Sequence, residues 1–292
     1  MNMPFRKHKL HLVREHEAEG RIAEIFGEIR EALGIPHVNV IFQTFASFPE
    51  FLDLFWRALK PALETQEFFS FSERLGAEAY TRVHNYFSIP DLRRKVAEMN
   101  FSAGAQQELD EVVNLYHYNY PALLLICALL VQAFENPGGP QRKGTKPAIH
   151  PVYKGNPILV EEELAPPPTR KIYEDMKRTL GMPFLATCYI NFGRWPDFLK
   201  TYWDTLKPIF KTALYEHHRV ALRESALAFA AEMPEPLQLT PTSLEEAGVP
   251  EEDVNTVLQI TDLFLNLVSQ QVLNMAYAKI GLEDGIRTER AA

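Results

Sequence analysis

Ile22, Ile25, Phe26, Ile29 and Leu33 recur at three- and four-residue steps and put one apolar stripe on one helix face, which Gly34 and Pro36 then bring to an end. Ile172, Tyr173, Met176 and Leu180, followed by Gly181 and Pro183, repeat the pattern. Pro49 and Pro196 suit the first turn of a following helix, where a missing N–H costs nothing, and Glu50 and Asp197 favour the positive end of its dipole. Pro61 and Pro208 are expected to kink or end that helix. Further helices are predicted over 72–86, 106–134, 217–232 and 251–280, while the alternating pattern of strands is scarce. The expected architecture is all-α.

The two opening patterns belong to a longer internal similarity. Residues 25–65 laid over 172–212, at a constant offset of 147, give 13 identities in 41 positions without a gap, among them Gly34/Gly181, Pro49/Pro196, Trp56/Trp203 and Lys60/Lys207. Phe42/Tyr189, Phe48/Trp195, Glu50/Asp197 and Phe55/Tyr202 keep their character as well. The chain therefore reads as two tandem helical repeats, 1–136 and 171–292, forming a pseudo-dimer about a pseudo-twofold. Between them, 137–170 carries many prolines and glycines, too many breakers for a helix to persist, and reads as a long linker that wraps a surface or lies over a site.

Composition narrows the function. With 30 basic and 38 acidic residues the formal charge is −8, which argues against a phosphate-tracking surface and so against nucleic acid. A hydrophobic fraction of 46% supports a sizeable core. Two cysteines, Cys127 and Cys188, give neither a disulfide framework nor paired metal spacing, and point to a reducing, cytoplasmic setting. The basic start (Arg6, Lys7, Lys9) leads into Glu15, Glu17 and Glu19 without the apolar run of a signal peptide. The longest uncharged apolar run, 122–131, is about half of what a membrane span needs and reads as a buried core helix.

Several chemistries find no motif. Lys143–Thr145 lies in the proline-rich stretch with no strand before it, so no phosphate cradle and no nucleotide cofactor are expected. Glu216-His217-His218 puts neighbouring histidines about 100° apart on a helix, unlike paired zinc ligands, and no metal is expected. There is no nucleophile elbow. What remains are two polar-aromatic stretches in apolar surroundings, Asn114–Pro121 and Thr187–Pro196, whose buried amides and hydroxyls need partners that a polar ligand can supply.

At these residues the sequence resembles the group I D,L-2-haloacid dehalogenases, the halocarboxylic acid dehydrogenase family. The resemblance spans nearly the full length: the duplication, the aromatic-Pro-acid-aromatic-Leu signature at Phe48–Leu52 and Trp195–Leu199, and Tyr-Asn-x-Pro at Tyr118–Pro121 before an apolar helix. It implies a cofactor-independent, all-helical hydrolase of small 2-halocarboxylic acids. In that family an aspartate in the second repeat activates a water that displaces halide directly, with inversion. The aspartate lies eight residues before the signature proline, and counting back from Pro196 reaches Cys188, with Ile41 as its counterpart in the first repeat.

That departure divides the reading. A carboxylate in an apolar site can take a proton from water, whereas a buried thiol is a poor base, and a thioether formed by its attack would end turnover. The site positions implied by the resemblance are Cys188 at the catalytic place and Phe42, Asn114, Tyr118, Asn119, Thr187, Tyr189 and Arg194 around the substrate, Thr187 as a donor to a carboxylate and Arg194 as the nearest cation. A small carboxylate is the expected ligand, and homodimerisation is left open. A divergent hydrolase would need an Asp or Glu within water-bridged reach of Cys188. A non-dehalogenating relative would need only a pocket between the repeats for a small carboxylate or apolar ligand.

Overall fold

A computed structural model describes residues 11–135, 144, 157–234 and 236–283. Among them every regular element is helical: α1 (Gly20–Leu33), α2 (Val40–Phe45), α3 (Pro49–Leu63), α4 (Gln66–Tyr86), α5 (Leu92–Glu98), α6 (Ala103–Glu135), α7 (Pro167–Leu180), α8 (Thr187–Phe192), α9 (Pro196–Phe210), α10 (Ala213–Glu232), α11 (Pro241–Glu246) and α12 (Glu251–Leu282). The bounds of α1, α2 and α3 recur as those of α7, α8 and α9 at the 147-residue offset. Most of 137–170 lies outside the described residues; α7 begins inside that stretch, because Pro167 and Pro168 occupy its first turn, where proline costs no hydrogen bond.

Local chemistry explains the short elements. Gly34 and Gly181 take left-handed conformations, φ 64° and 68°, and return N–H groups to the last turns of α1 and α7. Thr65 and Thr212 cap α4 and α10 by accepting from the N–H groups of Phe68 and Tyr215. Pro61 and Pro208 lie within α3 and α9, which stop within three residues of them. The chain ahead of each first helix is fastened to the short second one: Val13 N–H donates to Gln43 O at 3.0 Å, and Val160 N–H to Ile190 O at 3.1 Å.

The core is organised around α6 and α12, which pack on each other over much of their length. Residues 119–130 of α6 are buried without interruption, as is 271–278 of α12. A helix apolar on all sides must be enclosed by others. By length and composition α6 could cross a membrane, but 72% of its most apolar window is buried inside the protein, as in a core helix.

An acidic residue clamps each opening helix to the one after next. Glu28 of α1 accepts from Trp56 Nε1 at 2.9 Å and from Lys60 Nζ at 2.8 Å. Asp175 of α7, 147 positions on, accepts from Trp203 Nε1 at 2.8 Å and from Lys207 Nζ at 2.6 Å. The bonds from Lys60 and Trp56 bring the Glu28 carboxyl down to about 2. Burial pushes the Asp175 carboxyl up, and bonds from Lys207, Trp203 and Arg178 outweigh it and bring it to about 2 as well.

The two halves differ in one systematic way. Phe26, Phe42, Phe55 and Phe68 of the first half are matched 147 positions on by Tyr173, Tyr189, Tyr202 and Tyr215. The added hydroxyls are all buried, and all are bonded. Tyr173 donates to Val160 O at 3.1 Å, and its oxygen occupies the space that a Cβ on Gly193 would fill, where the first half has Ala46 beside a phenylalanine. The other three meet Asn274: its Nδ2 donates to Tyr189 Oη at 2.8 Å, its Oδ1 accepts from Tyr215 at 2.7 Å, and its carbonyl accepts from Tyr202 at 2.9 Å. Asn274 stands where the first half has Cys127.

Two outcomes follow from these networks. Folded-state carboxyls held below their unfolded values contribute stability that is complete above pH about 5 and is lost as pH falls toward 2. In urea unfolding followed between pH 6 and pH 2.5, Glu28→Gln should remove part of this acid dependence, roughly 1 kcal/mol after solvent screening. Asn274→Leu should cost roughly 2 kcal/mol at pH 7 by stranding buried hydroxyls. Adding Tyr189→Phe and Tyr215→Phe should recover most of that loss, and an undiminished loss in the triple variant would overturn the account.

Candidate functional site

Where the two halves meet, a pocket with about 380 Å³ of space not filled by atoms, part of it open to solvent, lies among α2, α6, α8 and α12. Asn39, Val40 and Ile41 form one wall at the start of α2. Tyr120 and Leu123 of α6 form another. Met182, Phe184, Ala186 and Thr187 lead into α8, and Phe264, Leu267, Val268 and Gln271 come from α12. The surroundings are largely apolar.

No Asp, Glu, Lys, Arg or His is among these lining residues. The polar residues of the lining are Asn39, Tyr120, Thr187 and Gln271. Among the described residues there is also no group of three or more His, Cys, Asp or Glu side chains able to hold a metal ion.

Cys188 sits behind this wall. It is fully buried, and the groups it bonds are lining residues. Its backbone N–H donates to Tyr120 Oη at 3.2 Å, its thiol donates to Gln271 Oε1 at 3.7 Å, and the Tyr120 hydroxyl also hydrogen-bonds the sulfur. Burial pushes the thiol up to about 12, against bonds from Tyr120 and the backbone that pull the other way. The Gln271 amide continues the chain by donating to Met182 Sδ at 3.7 Å and by bonding the Tyr189 hydroxyl, which links the pocket wall to Asn274.

The other positions implied by the resemblance are spread around this space, and Thr187 alone of them lines it. Phe42 is buried in the first-half core, its ring 6.4 Å from that of Phe55. Tyr189 is buried on Asn274. Asn114 accepts from Lys279 Nζ at 2.8 Å. Tyr118 is half-buried on α6. Arg194 pairs with Glu108 at 2.7 Å and lies over the Trp195 ring. Asn119 is 1% exposed, and neither of its amide atoms has a hydrogen-bond partner among the described residues. A turn of one residue along α6 brings Tyr120 to the pocket instead.

Sequence reasoning missed Asn39, Tyr120 and Gln271. Tyr120 belonged to the polar-aromatic stretch it had singled out, and Gln270-Gln271 interrupts the long apolar helix α12 as a visible polar pair. Asn39 had no local signal. His37 and Tyr116, like Asn39, carry buried polar atoms without hydrogen-bond partners among the described residues. The rings of His37 and Tyr116 are 5.6 Å apart, and burial pulls the His37 imidazole down to about 4, so it stays neutral at pH 7.

The model of the family described as halocarboxylic acid dehydrogenase DehI matches residues 36–189. An (R)-2-haloacid dehalogenase of Pseudomonas putida is 26% identical over 277 residues, 91% of each chain. A second, from Rhizobium sp. (strain NHG3), is 26% identical over 230 residues, 78% of this chain and 89% of the relative. A solved complex of D-2-haloacid dehalogenase with L-LA superposes with a TM-score of 0.90 at 24% identity, covering 97% of this chain and 99% of that one, which is a likeness of fold.

The geometry makes a direct statement about the thiol. Burial keeps the Cys188 thiol protonated at pH 8. Cys127 is buried too, and burial likewise pushes its thiol up. The native protein is expected to leave a thiol-specific chromogenic disulfide reagent unreacted at pH 8 while both thiols titrate in denaturant. Rapid native consumption of one equivalent would contradict this placement of Cys188.

Proposed function

This chain belongs to the halocarboxylic acid dehydrogenase DehI family, and within it we propose a member that binds a small molecule with an apolar body in the α2–α6–α8–α12 pocket without hydrolysing it through position 188. Family membership supports a dehalogenase-like pocket for a small ligand. The observation that carries the non-hydrolytic part is the lining itself, which holds no carboxylate, together with a neutral thiol in the wall behind it.

Direct displacement of halide by water requires a base that takes the proton as the C–O bond forms and the carbon–halogen bond breaks. A carboxylate does this at neutral pH. The Cys188 thiol would have to be a thiolate to act as a base, and burial holds it protonated. Were the thiolate to attack the carbon instead, halide would leave and a C–S bond would form, and water does not readily cleave such a thioether. Tyr120 and Gln271 line the pocket and both bond Cys188, which is not among the lining residues.

The test is chloride release from D- and L-2-chloropropionate, assayed separately, by the unaltered protein and by Cys188→Asp. We expect no release above buffer from the unaltered protein, and at most slow release from the variant because position 188 is not among the lining residues. Steady release by the unaltered protein would overturn the proposal and would mean that another group serves as base.

A further inference from the structure

The loop between α1 and α2, residues 34–39, leads directly into the first wall of the pocket, Asn39–Ile41. It carries His37, which is 5% exposed and lies 5.6 Å, ring to ring, from the fully buried Tyr116 of α6. Neither ring nitrogen of His37 has a hydrogen-bond partner among the described residues. The matching loop 147 positions on carries Phe184, whose ring stacks on Phe264 of α12 at 5.5 Å. One place in the repeat thus holds an ionisable ring in the first half and an apolar ring in the second.

A buried imidazole of this kind is tolerated only while neutral, because an imidazolium would bring a charge and a second N–H donor into the core. Tyr116 faces it from α6, with Tyr120 stacked on Tyr116 at 5.4 Å and bonded to Cys188 of α8. Burial keeps all three of these groups protonated and uncharged at neutral pH. Glu15 holds the loop by its backbone, accepting from Val38 N–H at 2.7 Å, and is itself paired with Arg30 at 2.7 Å. From α12, the Lys279 charge acts on His117 of α6, whereas burial is the whole cause of the low basicity of His37.

We infer that His37 is an acid-sensitive latch on the pocket: its protonation releases the 34–39 loop and loosens the Asn39–Ile41 wall, while the 181–186 loop, with phenylalanine in the same place, stays shut. The inference concerns how the pocket opens and stands apart from whether a ligand is turned over there. The sign follows from the ring. In the closed loop His37 is held down to about 4, and once released it returns to the ordinary histidine value of about 6.5. The advantage of the closed loop is therefore complete above pH 6.5 and is lost as pH falls toward 4, so that opening is about tenfold more frequent at pH 5.5 than at pH 7.5.

Hydrogen exchange read by mass spectrometry on the full chain at pH 7.5 and pH 5.5, corrected for the intrinsic pH dependence of amide exchange, tests this. At pH 5.5 the Glu28 and Asp175 clamps remain ionised. Phe42, Gln43 and Ala46 have bonded N–H groups that report the first wall, and Tyr189, Ile190 and Gly193 are their counterparts in the second half. Protection over 35–46 should fall about tenfold, and that over 182–193 should stay within about twofold. His37→Phe, which copies the second half, should remove the response. That variant keeps His117, which burial and Lys279 likewise hold down to about 4, so a response arising there would persist in it. Should His37→Phe fail to fold by circular dichroism, His37→Leu takes its place, and the comparison of the two loops in the unaltered chain decides without any variant. Equal loss in both loops, no loss in either, or a response that persists without His37 would each overturn the inference.

Discussion

The second half of this molecule depends on one buried amide. Asn274, with no exposed surface, holds the hydroxyls of Tyr189, Tyr202 and Tyr215, and through Tyr189 and Gln271 it is tied to Cys188 and the pocket wall. A buried hydroxyl is tolerable only when its partner is in place, so these three tyrosines and one asparagine must be accommodated together. The first half solves the same packing problem with phenylalanines and a cysteine, and needs no such network. Each half contributes two polar residues to the pocket lining, Asn39 and Tyr120 from the first and Thr187 and Gln271 from the second.

This asymmetry shapes the chemistry that the family pocket can perform here. The four polar residues of the lining are neutral, and no Asp, Glu, Lys, Arg or His is among the lining residues. Cys188 is the clearest case, with its sulfur between a phenol and an amide and its thiol far from ionisation at neutral pH. A site of this kind can orient a ligand and exclude water. A shared helical frame does not by itself fix the chemistry done within it.

The structural differences between matched positions are small and mutually compensating. Tyr173 gains a hydroxyl where Phe26 has none, and Gly193 gives up the methyl that Ala46 retains. The phenol then fastens Val160 to the short helix α8, which is the segment that presents Thr187 to the pocket. Shape and hydrogen bonding are conserved by changing two residues together.

The all-helical architecture was legible along the chain, because a three-to-four-residue apolar period, proline at helix starts and glycine at helix ends are local properties that neighbouring residues decide. Cys188 was legible too, as a thiol where an ionised group was expected at a fixed distance from Pro196. The site itself was not. Which side of α6 meets the pocket is set by how it packs on α12 and α8, and a shift of one residue, about 100° around a helix, exchanges Asn119 for Tyr120. Gln271 and Asn39 come from segments more than 200 residues apart, and no local pattern relates them. The sequence by itself determined the helices. Tertiary packing decided which neutral groups face the ligand, because burial, pairing and accessibility belong to the assembled core rather than to any stretch of chain.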